Sequence, residues 1–320
     1  MIIVPEREIA NLVTAEDAFR AVEATFAAMS RSEAYNFPVI REALGEGRQY
    51  GFKSGLDRAG AILGVKAGGY FPGNAARGIT NHQSTVYLFD PESGLPTAMV
   101  GGNLLTALRT AAASAISIDR LARKDAKVLG MVGAGHQAAF QLRAAARVRN
   151  FERVVAWNLH PDMLPKLGEV AAELGLPFKA VSLDELGAEA DVIITITSSP
   201  AASLLDRHVK PGTHLACMGT DTKGKQEVEP ALLARASIFT DEVAQSISIG
   251  EAQHAVGSGL IRADTITPIG DVIAGLKPGR ISDSQITLFD GTGVGLQDLA
   301  VASAAVRAAI AKGVAVSVTI

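Results

Sequence analysis

An apolar stretch that runs straight into a glycine-rich turn is the feature that most constrains the fold of this 320-residue chain. In VLGMVGAGHQAAF a predicted strand is followed by Gly133, Gly135 and the start of a helix. Gly133 permits the tight turn, Gly135 lets the backbone approach a pyrophosphate, and Ala138 allows close packing of helix and strand. Because the helix N-terminus offers N–H groups and a positive dipole, the pattern predicts a dinucleotide site. A tight turn without a ligand is the alternative interpretation.

From Lys127 onward short apolar stretches alternate with helical patterns, which is typical of a parallel sheet whose strands are connected by crossover helices. The six predicted strands are KVLGMV, RVVAWN, FKAV, DVIITIT, THLACMG and ASIFTD. They predict an α/β fold with a Rossmann-type doubly wound parallel sheet, which we assign to residues 121–291. After Thr287 comes an alanine-rich helix that ends near Lys312. We expect that helix to pack on the N-terminal part of the chain, since no predicted strand remains for it to cover.

The N-terminal part of the chain consists of helical patterns and short β-like stretches punctuated by glycine. Thr14 and Asp17 predict a capping box at the start of the first long helix. FDPESGLP predicts a hairpin turn, and TALRTAAASAISIDRL predicts a helix that ends at Leu121. Because the chain is longer than one hydrophobic core usually spans, we expect a second, α+β domain formed by residues 1–120 and 292–320.

Composition excludes several classes of function. The formal net charge of -3 and the scattered basic residues provide no field for a phosphate backbone, so nucleic acid is not an expected partner. The start, MIIVPEREIA, lacks the pattern of a secretion signal, and no stretch is long and apolar enough for a membrane span. We therefore expect a cytoplasmic protein without a membrane partner. Cys217 is the single cysteine and lies in apolar HLACMG, so we interpret it as a small core residue.

Residues that follow the other predicted strands should also lie at the ligand edge of the sheet. Thr197 and Ser198 follow one strand, DVIIT, and Asp221 comes shortly after another, where an acid could meet a substrate or could simply form a turn. The second strand ends at Asn158, where neither an acid nor an arginine decides between NAD and NADP. Asn158 can bind a ribose hydroxyl, or it can begin a turn before Pro161. We favour NAD, used as NADH, with NADP as the alternative.

Known metal and hydrolase motifs are absent from the sequence. The six histidines form no H-x-x-x-H or similar pattern, and there is no G-x-S-x-G elbow. What remains is a set of cations in apolar or glycine-rich surroundings, namely Arg41, Lys66 and Arg109. Such cations suit the binding of a carboxylate, which arginine can hold in bidentate fashion. Periodicity alone leaves each of them equally compatible with a salt-bridged or snorkelling residue.

The segments VKAGGY, LLTALRTAAASA, VGAGHQA and GTDTKGKQE occur in this order along the chain. In this order and spacing they resemble the ornithine cyclodeaminase and mu-crystallin family, and the resemblance covers nearly the whole chain. It implies an NAD(P)H-dependent oxidoreductase that acts on a C=N or CH–NH2 group. It also implies a homodimer, in which the domain of residues 1–120 and 292–320 binds substrate and joins the two subunits.

The resemblance assigns roles to individual residues. Arg41, Lys66 and Arg109 would hold the substrate carboxylate. Asp221 would face the substrate nitrogen, so Lys66 and Asp221 are the predicted catalytic residues. Asp290 would close over the cofactor by analogy, or else form a turn before the last helix. The predicted cofactor-binding residues are Gly133, Ala134, Gly135, His136, Gln137, Asn158, Thr197, Ser198 and Asp290.

A closer likeness within the family implies a substrate. It is carried by YNFPV, GITNHQST and FTDEVAQSISIGE, and it implies that a small dicarboxylate imine, iminosuccinate, is reduced to L-aspartate. Asp221 would then favour the protonated iminium, which accepts hydride readily. Asn81 and His82 are expected to meet the second carboxylate, or else to cap a loop.

Other activities remain open within the same family. One is a cyclodeaminase-type lyase that converts ornithine to proline and ammonia and reoxidises its NAD within each turnover. Another is a different ketimine reductase or amino-acid dehydrogenase. A protein that only binds a nucleotide and a small hormone is the alternative outside catalysis, and the three cations and Asp221 argue against it.

Overall fold

The structure is a computed structural model that describes residues 1–319, and these residues fold into two compact units. The first unit contains Met1–Arg109 and the chain from Val294 onward. The second unit contains Thr110–Gly293. The binding roles that we assign to the two domains stay predictions.

The two units divide inside a helix, Asn103–Leu121, whereas the sequence places the boundary at the end of this helix. The start of the helix belongs to the first unit, because the N–H groups of Asn103 and Leu104 donate to the carboxylate of Glu6. Ser117, about one turn before the end of the helix, belongs to the second unit and hydrogen-bonds to His214 of that unit at 3.1 Å. One continuous helix therefore contributes residues to both units.

The strands of residues 1–319, in chain order, are β1 (Ile2–Val4), β2 (Ala34–Asn36), β3 (Ile40–Gly45), β4 (Arg48–Asp57), β5 (Ile62–Tyr70), β6 (His82–Phe89), β7 (Pro96–Gly101), β8 (Val128–Val132), β9 (Arg153–Trp157), β10 (Phe178–Ala180), β11 (Val192–Thr195), β12 (His214–Cys217), β13 (Ser237–Thr240), β14 (Thr267–Pro268), β15 (Thr287–Asp290) and β16 (Val316–Ser317). The α-helices of the same residues are α1 (Ile9–Leu12), α2 (Ala15–Ser30), α3 (Asn103–Leu121), α4 (His136–Val148), α5 (Leu164–Glu173), α6 (Leu183–Glu189), α7 (Pro230–Arg235), α8 (Val243–Ile249), α9 (Ala252–Gly257), α10 (Ile269–Ile273) and α11 (Gly295–Ala311).

The first unit is an α+β structure. Within residues 1–319, its sheet of eight strands has the order β16-β1-β7-β6-β5-β4-β2, with β3 also paired to β4. β1 and β7 are parallel, and the other neighbours are antiparallel. The hairpin turn predicted in FDPESGLP is confirmed: it joins β6 to β7, and the N–H of Asp90 donates to Leu95 O at 2.8 Å.

The long helices of the first unit pack together and on the sheet. α2 begins with the predicted capping box, in which Asp17 N–H donates to Thr14 Oγ1 and Thr14 N–H donates to the Asp17 carboxylate. α11 packs on α2, β4 and β5, so the prediction that the last helix returns to the N-terminal part is confirmed. The approach is close because a Cβ on Gly64 would lie only 2.9 Å from Leu299 Cδ2.

The second unit contains the predicted Rossmann-type parallel sheet. Within residues 1–319 its strands are all parallel and have the order β10-β9-β8-β11-β12-β15-β13-β14. β8 lies between β9 and β11, so the direction of strand succession reverses beside it. The loops that follow β8 and β11 therefore lie side by side at the carboxyl edge, which is where ligands bind in such sheets.

One long-range strand of this sheet is not among the six predicted strands. The stretch Thr287–Asp290 forms β15, which lies between β12 and β13 and is fully buried. Only Leu288 and Phe289 within it are large and apolar, and glycines follow directly, so the local pattern resembles a turn. The six predicted strands are all present, and β15 and the two-residue β14 are added to them.

The interior of the second unit is built from apolar side chains of its strands and helices. Cys217 is completely buried there, as the prediction of a small core residue requires. Burial raises the pKa of its thiol well above the usual value, which makes the thiolate inaccessible at neutral pH. In the part of the chain that the structure describes, no helix has the length and apolarity that crossing a membrane requires.

Candidate active site

The glycine-rich turn connects β8 to α4. Gly133 has a φ of 111°, and a Cβ there would lie 2.6 Å from the carbonyl oxygen of Ile196, so a larger residue would be strained and would clash. Its N–H donates to Trp157 O at 2.9 Å and ties the turn to the end of β9. Gly135 is exposed, precedes α4 directly and has open space where a Cβ would stand. The backbone is thus accessible at a helix N-terminus, which suits a pyrophosphate.

The side chains around this turn fit a dinucleotide. Asn158 Oδ1 accepts a hydrogen bond from Ala134 N–H at 3.1 Å, and its Nδ2 donates to His160 O at 2.8 Å, so Asn158 braces the turn. His136 is exposed in the first turn of α4. In residues 1–319, the buried Oε1 of Gln137 has no hydrogen-bond donor. A buried polar atom without a partner beside an open glycine turn is the kind of group that a ligand satisfies.

Thr197 and Ser198 follow β11 at the same edge of the sheet. Thr197 donates through its N–H, at 2.5 Å, and through its hydroxyl, at 2.8 Å, to Oε1 of Glu227. Ser198 is exposed. The loop is therefore fixed at Thr197 by a buried acid, and Ser198 beside it is accessible.

Asp221 lies in the loop after β12, again at the carboxyl edge. Its Oδ1 is 3.1 Å from Lys225 Nζ and accepts a hydrogen bond from Thr222 Oγ1 at 3.2 Å. About a third of the side chain is exposed, at 31%. The carboxyl group thus lies beside a cation and is accessible, as a group that stabilises a protonated nitrogen must be.

Asp290 occupies a different environment from the one that the sequence predicts. It ends β15 and is completely buried, where its Oδ2 accepts hydrogen bonds from Ser246 Oγ at 2.6 Å and Ala252 N–H at 3.3 Å. Burial raises the pKa of this carboxyl to about 7. The carboxylate links β15 to α8 and α9, and its contact with a cofactor stays a prediction.

In the first unit, Lys66 and Arg109 converge on one buried acid, Asp298 of α11. Lys66 Nζ is 2.8 Å from Asp298 Oδ2, and Arg109 Nε donates to Asp298 Oδ1 at 3.1 Å. A second donor of Arg109 reaches Oε1 of Gln297 at 3.3 Å. Two of the predicted carboxylate-binding cations are thus held together in the interior.

The pKa values in this cluster follow from burial and charge. Burial lowers the pKa of Lys66 to about 8, against the opposing effect of Asp298. Burial alone would raise the pKa of Asp298, but Arg109 and Lys66 outweigh it and lower the pKa to about 2. At neutral pH Asp298 is therefore ionised, and most Lys66 side chains carry a proton.

Strand register places further cations on the sheet face of Lys66. Lys53 pairs with Lys66 across β4 and β5, and Arg41 of β3 pairs with Gly51, two residues before Lys53. Residues two apart on a strand point to the same face, so Arg41, Lys53 and Lys66 share one face. Lys53 is 5% exposed, and its charge acts on Asp298. The interior of the first unit therefore holds more positive than negative charge.

Asn81 and His82 lie at the start of β6. His82 pairs with Tyr70 at the end of β5, and the register places it on the face that carries Lys66. Asn81 Oδ1 accepts from Ala75 N–H at 2.9 Å, and its Nδ2 donates to the Tyr70 hydroxyl at 3.3 Å. The structure therefore gives Asn81 the loop-capping contacts that the sequence left as its alternative.

Sequence reasoning missed Asp298, Lys53 and the buried acids Glu227 and Glu251. A signal for Asp298 exists, because a polar pair interrupts the otherwise apolar start of the last helix, GLQDLAVA. Every residue of this stretch is buried. A buried acid in such a helix requires a cation as partner, and the three predicted cations were available.

Comparison with known proteins identifies the family. A family model described as "Ornithine cyclodeaminase/mu-crystallin family" matches residues 2–313. The chain belongs to this family. The resemblance that the sequence motifs carry is therefore confirmed, together with the two-part fold that the family's solved structures share with this chain.

Three relatives illustrate the range of the family. Iminosuccinate reductase of Paracoccus denitrificans (strain Pd 1222) is 64% identical over 321 residues, 100% of both chains, and its structure in complex with NAD+ matches 100% of this chain and 99% of that one with a TM-score of 0.95. An archaeal alanine dehydrogenase dimer with bound NAD has a TM-score of 0.95 at 32% identity, covering 100% and 99%. Delta(1)-pyrroline-2-carboxylate reductase of Thermococcus litoralis, in complex with NADH and L-proline, has a TM-score of 0.94 at 26% identity, covering 99% and 100%.

Proposed function

We propose that this protein is an NAD-dependent imine reductase that reduces iminosuccinate to L-aspartate. The observation that carries the proposal is the surplus of buried positive charge around Asp298, in a chain that is 64% identical along its full length to an iminosuccinate reductase. Buried cations that exceed their acids are costly unless an anion joins them. A substrate carboxylate supplies that anion.

We assign different parts of substrate binding to Arg109, Lys66 and Arg41. Arg109 uses Nε and one terminal nitrogen on Asp298 and Gln297, which fixes the guanidinium plane and leaves its remaining N–H groups for a carboxylate. Lys66 and Arg41 add charge on the same side of the sheet. We assign the second carboxylate of the substrate to the region of Asn81 and His82.

We assign the cofactor site to the turn after β8. Gly133 to Gln137 would hold the pyrophosphate, with Thr197 and Ser198 beside it and Asn158 toward the ribose. NAD supplies the hydride in its reduced form. Relatives with bound NAD+, NAD or NADH support NAD over NADP, and no cation follows Asn158 directly.

We assign to Asp221 the task of stabilising the protonated imine nitrogen. A negative carboxylate favours the iminium, whose carbon accepts the hydride while the C=N π electrons pass to nitrogen and give the amine. Lys225 pairs with the Asp221 carboxylate at 3.1 Å and limits its rotation. The product amine carries the proton that Asp221 helped to retain.

We further propose a homodimer that forms through the sheet of the first unit. Tyr35, Ile40, Tyr50 and Phe52 lie on the sheet face opposite Lys66 by strand register, and they are 42%, 52%, 37% and 42% exposed. A contiguous exposed apolar and aromatic face marks an interaction surface. The related archaeal alanine dehydrogenase is a dimer. We also place the enzyme in the cytoplasm, as a reaction that consumes NADH requires a supply of that cofactor.

A direct assay tests the proposed reaction. Iminosuccinate is generated from oxaloacetate and ammonia, and NADH or NADPH consumption is followed by absorbance with aspartate measured as product. We expect consumption with NADH that depends on both oxaloacetate and ammonia. No consumption above background with either cofactor contradicts the proposal. Formation of proline and ammonia from ornithine, without net NADH, would identify a lyase instead.

A further inference from the structure

Two buried acids at the carboxyl edge of the second unit, Glu227 and Glu251, have no role in the proposed chemistry. Each is only 1% exposed. Burying a carboxylate is costly unless hydrogen bonds satisfy it fully. The identity of the donors therefore indicates what these side chains hold in place.

Glu227 joins the ends of two neighbouring strands. Its Oε1 accepts from the N–H and the hydroxyl of Thr197, and its Oε2 accepts from Thr195 Oγ1 at 2.7 Å and from Gly219 N–H at 2.7 Å. Thr195 ends β11, and Gly219 follows β12. One carboxylate thus sets the spacing between the loop at Thr197 and the loop that leads to Asp221.

Glu251 and Gln253 hold the rest of the second loop. Glu251 accepts from Thr220 Oγ1 and from the N–H groups of Glu227, at 2.7 Å, and Val228, at 3.3 Å. Gln253 Oε1 accepts from Gly224 N–H at 2.8 Å. The segment 219–228 is therefore fastened before, within and after the turn that carries Asp221.

These contacts require that both oxygens of each carboxyl group accept hydrogen bonds. Within residues 1–319 backbone N–H groups and hydroxyls hydrogen-bond both acids, and no salt bridge reaches either one. An amide in place of either carboxylate has the same shape but turns an NH2 group toward a donor. Burial raises the pKa of both carboxyls, and the Glu227 charge raises that of Glu251 further. The hydrogen bonds from the two loops therefore hold Glu227 and Glu251 close together although their charges repel each other.

We propose that Glu227 and Glu251 are positioning residues for Asp221: they lock the 219–228 loop to the end of β11 and thereby fix the place of the Asp221 carboxylate. Neither acid touches the reacting atoms. The proposal rests on the proposed function in one respect, which is that Asp221 serves the reaction.

The test uses Glu227→Gln and Glu251→Gln in the full-length protein, with Thr220→Val as a milder variant that removes a single donor. Hydrogen exchange of the Thr197, Gly219 and Val228 amides is measured without ligand, and kcat and KM are measured in the reductase assay. Leaving these buried donors without a well-matched acceptor should speed exchange at these amides ~10- to 100-fold. We expect kcat to fall by a similar factor and KM for the imine to change about threefold or less.

Asp191→Asn is the matched control. Asp191 also accepts backbone N–H groups, from Lys127 at 2.9 Å and Val128 at 3.1 Å, but at the amino edge of the same sheet. It should lower the melting temperature without changing loop exchange or kcat. Unchanged exchange in all three test variants overturns the proposal, and so does faster exchange with an unchanged kcat. If the wild type lacks reductase activity, the exchange data still report whether the acids fix the loop, so the two failures are distinguishable.

Discussion

The two units bury charge in opposite ways. Among the described residues of the first unit, Lys53, Lys66, Arg109 and Asp298 are the buried charged side chains, and ion pairs at 2.8 and 3.1 Å join Lys66 and Arg109 to Asp298. In the second unit the acids at the carboxyl edge of the sheet, such as Glu227, are hydrogen-bonded by backbone N–H groups and hydroxyls. Buried charge in the first unit is thus stabilised by side chains of opposite charge, and the buried acids of the second unit are stabilised by the dipoles of N–H and O–H groups.

Two aspartates show what this difference does. Asp298 and Asp290 are both completely buried, yet the pKa of Asp298 is lowered to about 2 and that of Asp290 is raised to about 7. Burial favours the neutral acid in both cases, and only Asp298 has cations that outweigh it. Burial by itself therefore does not fix the charge of a site. The buried cluster around Asp298 stays positive and suits an anionic substrate, whereas the second unit holds carboxyls that resist ionisation.

The largest predicted effect comes from Asp298→Asn. Removing the one acid leaves Lys66 and Arg109 buried without compensation, so the free energy of unfolding at pH 7 should fall by ~3–5 kcal/mol. Because the folded pKa of about 2 lies below the unfolded value of ~3.9, this stabilisation is present above pH ~4 and is lost as the pH falls through 2. Urea unfolding at pH 7 and pH 3 measures both predictions.

Glu16→Gln is the control for this variant, because Glu16 pairs with Arg20 at 2.9 Å on the surface of α2. Losing that exposed pair should cost at most ~0.5 kcal/mol. A deficit below ~1 kcal/mol for Asp298→Asn at pH 7 would mean that water already compensates the cations, and the contrast between the units would then disappear.

The next effect concerns the fork of Arg109. Arg109→Lys keeps a positive charge beside Asp298 but loses the planar pair of donors, so stability should change less than in Asp298→Asn. The kcat/KM for the imine should fall ~10- to 100-fold, since a charge-assisted contact contributes ~1.5–3 kcal/mol. Steady-state kinetics measures this effect, with the exposed Arg20→Lys as control. A kcat/KM within twofold of wild type would place the substrate carboxylate elsewhere.

Much of the fold could be predicted because its signals are local. The turn at Gly133, the capping box at Thr14 and six apolar strands are each visible within about ten residues. β15 was not predictable in this way, because a four-residue strand with two apolar side chains resembles the turn that follows it. Its place between β12 and β13 depends on pairing with residues far away in sequence.

The residues of the candidate site also differ in whether a local sequence signal reveals them. Single cations in apolar surroundings attract attention, so Lys66 and Arg109 could be selected from the sequence, and the family resemblance gave them a role. Their partner Asp298 lies 189 residues beyond Arg109. Glu227, in GKQEVEP, resembles an acid of a solvated loop, and its burial depends on Thr195, 32 residues earlier. Residues whose partners are distant are the ones that sequence patterns do not reveal.

A smaller effect should be visible in the pH dependence of substrate binding. Lys66 has a pKa of about 8, so kcat/KM for a dianionic imine should fall about tenfold per pH unit above that value as the free enzyme loses this charge. Lys66→Arg should remove this alkaline limb, because arginine stays protonated. Measuring kcat/KM from pH 6 to 10, corrected for the iminosuccinate present, tests the prediction. A limb that Lys66→Arg leaves unchanged belongs to another group.

At pH 5 the smallest effect is expected for Asp290→Asn, which sharpens the contrast with Asp298. At pH 5 the wild-type carboxyl is mostly protonated, so a neutral amide should alter the free energy of unfolding by only ~1 kcal/mol or less. The folded pKa of about 7 exceeds the unfolded value of ~3.9, so between these values the folded state retains a proton and the wild type loses stability as the pH rises. The variant lacks this loss and should gain relative to wild type in urea unfolding at pH 8. A variant that instead weakens further as the pH rises would show that an ionised Asp290 is stabilised by a cation, as Asp298 is.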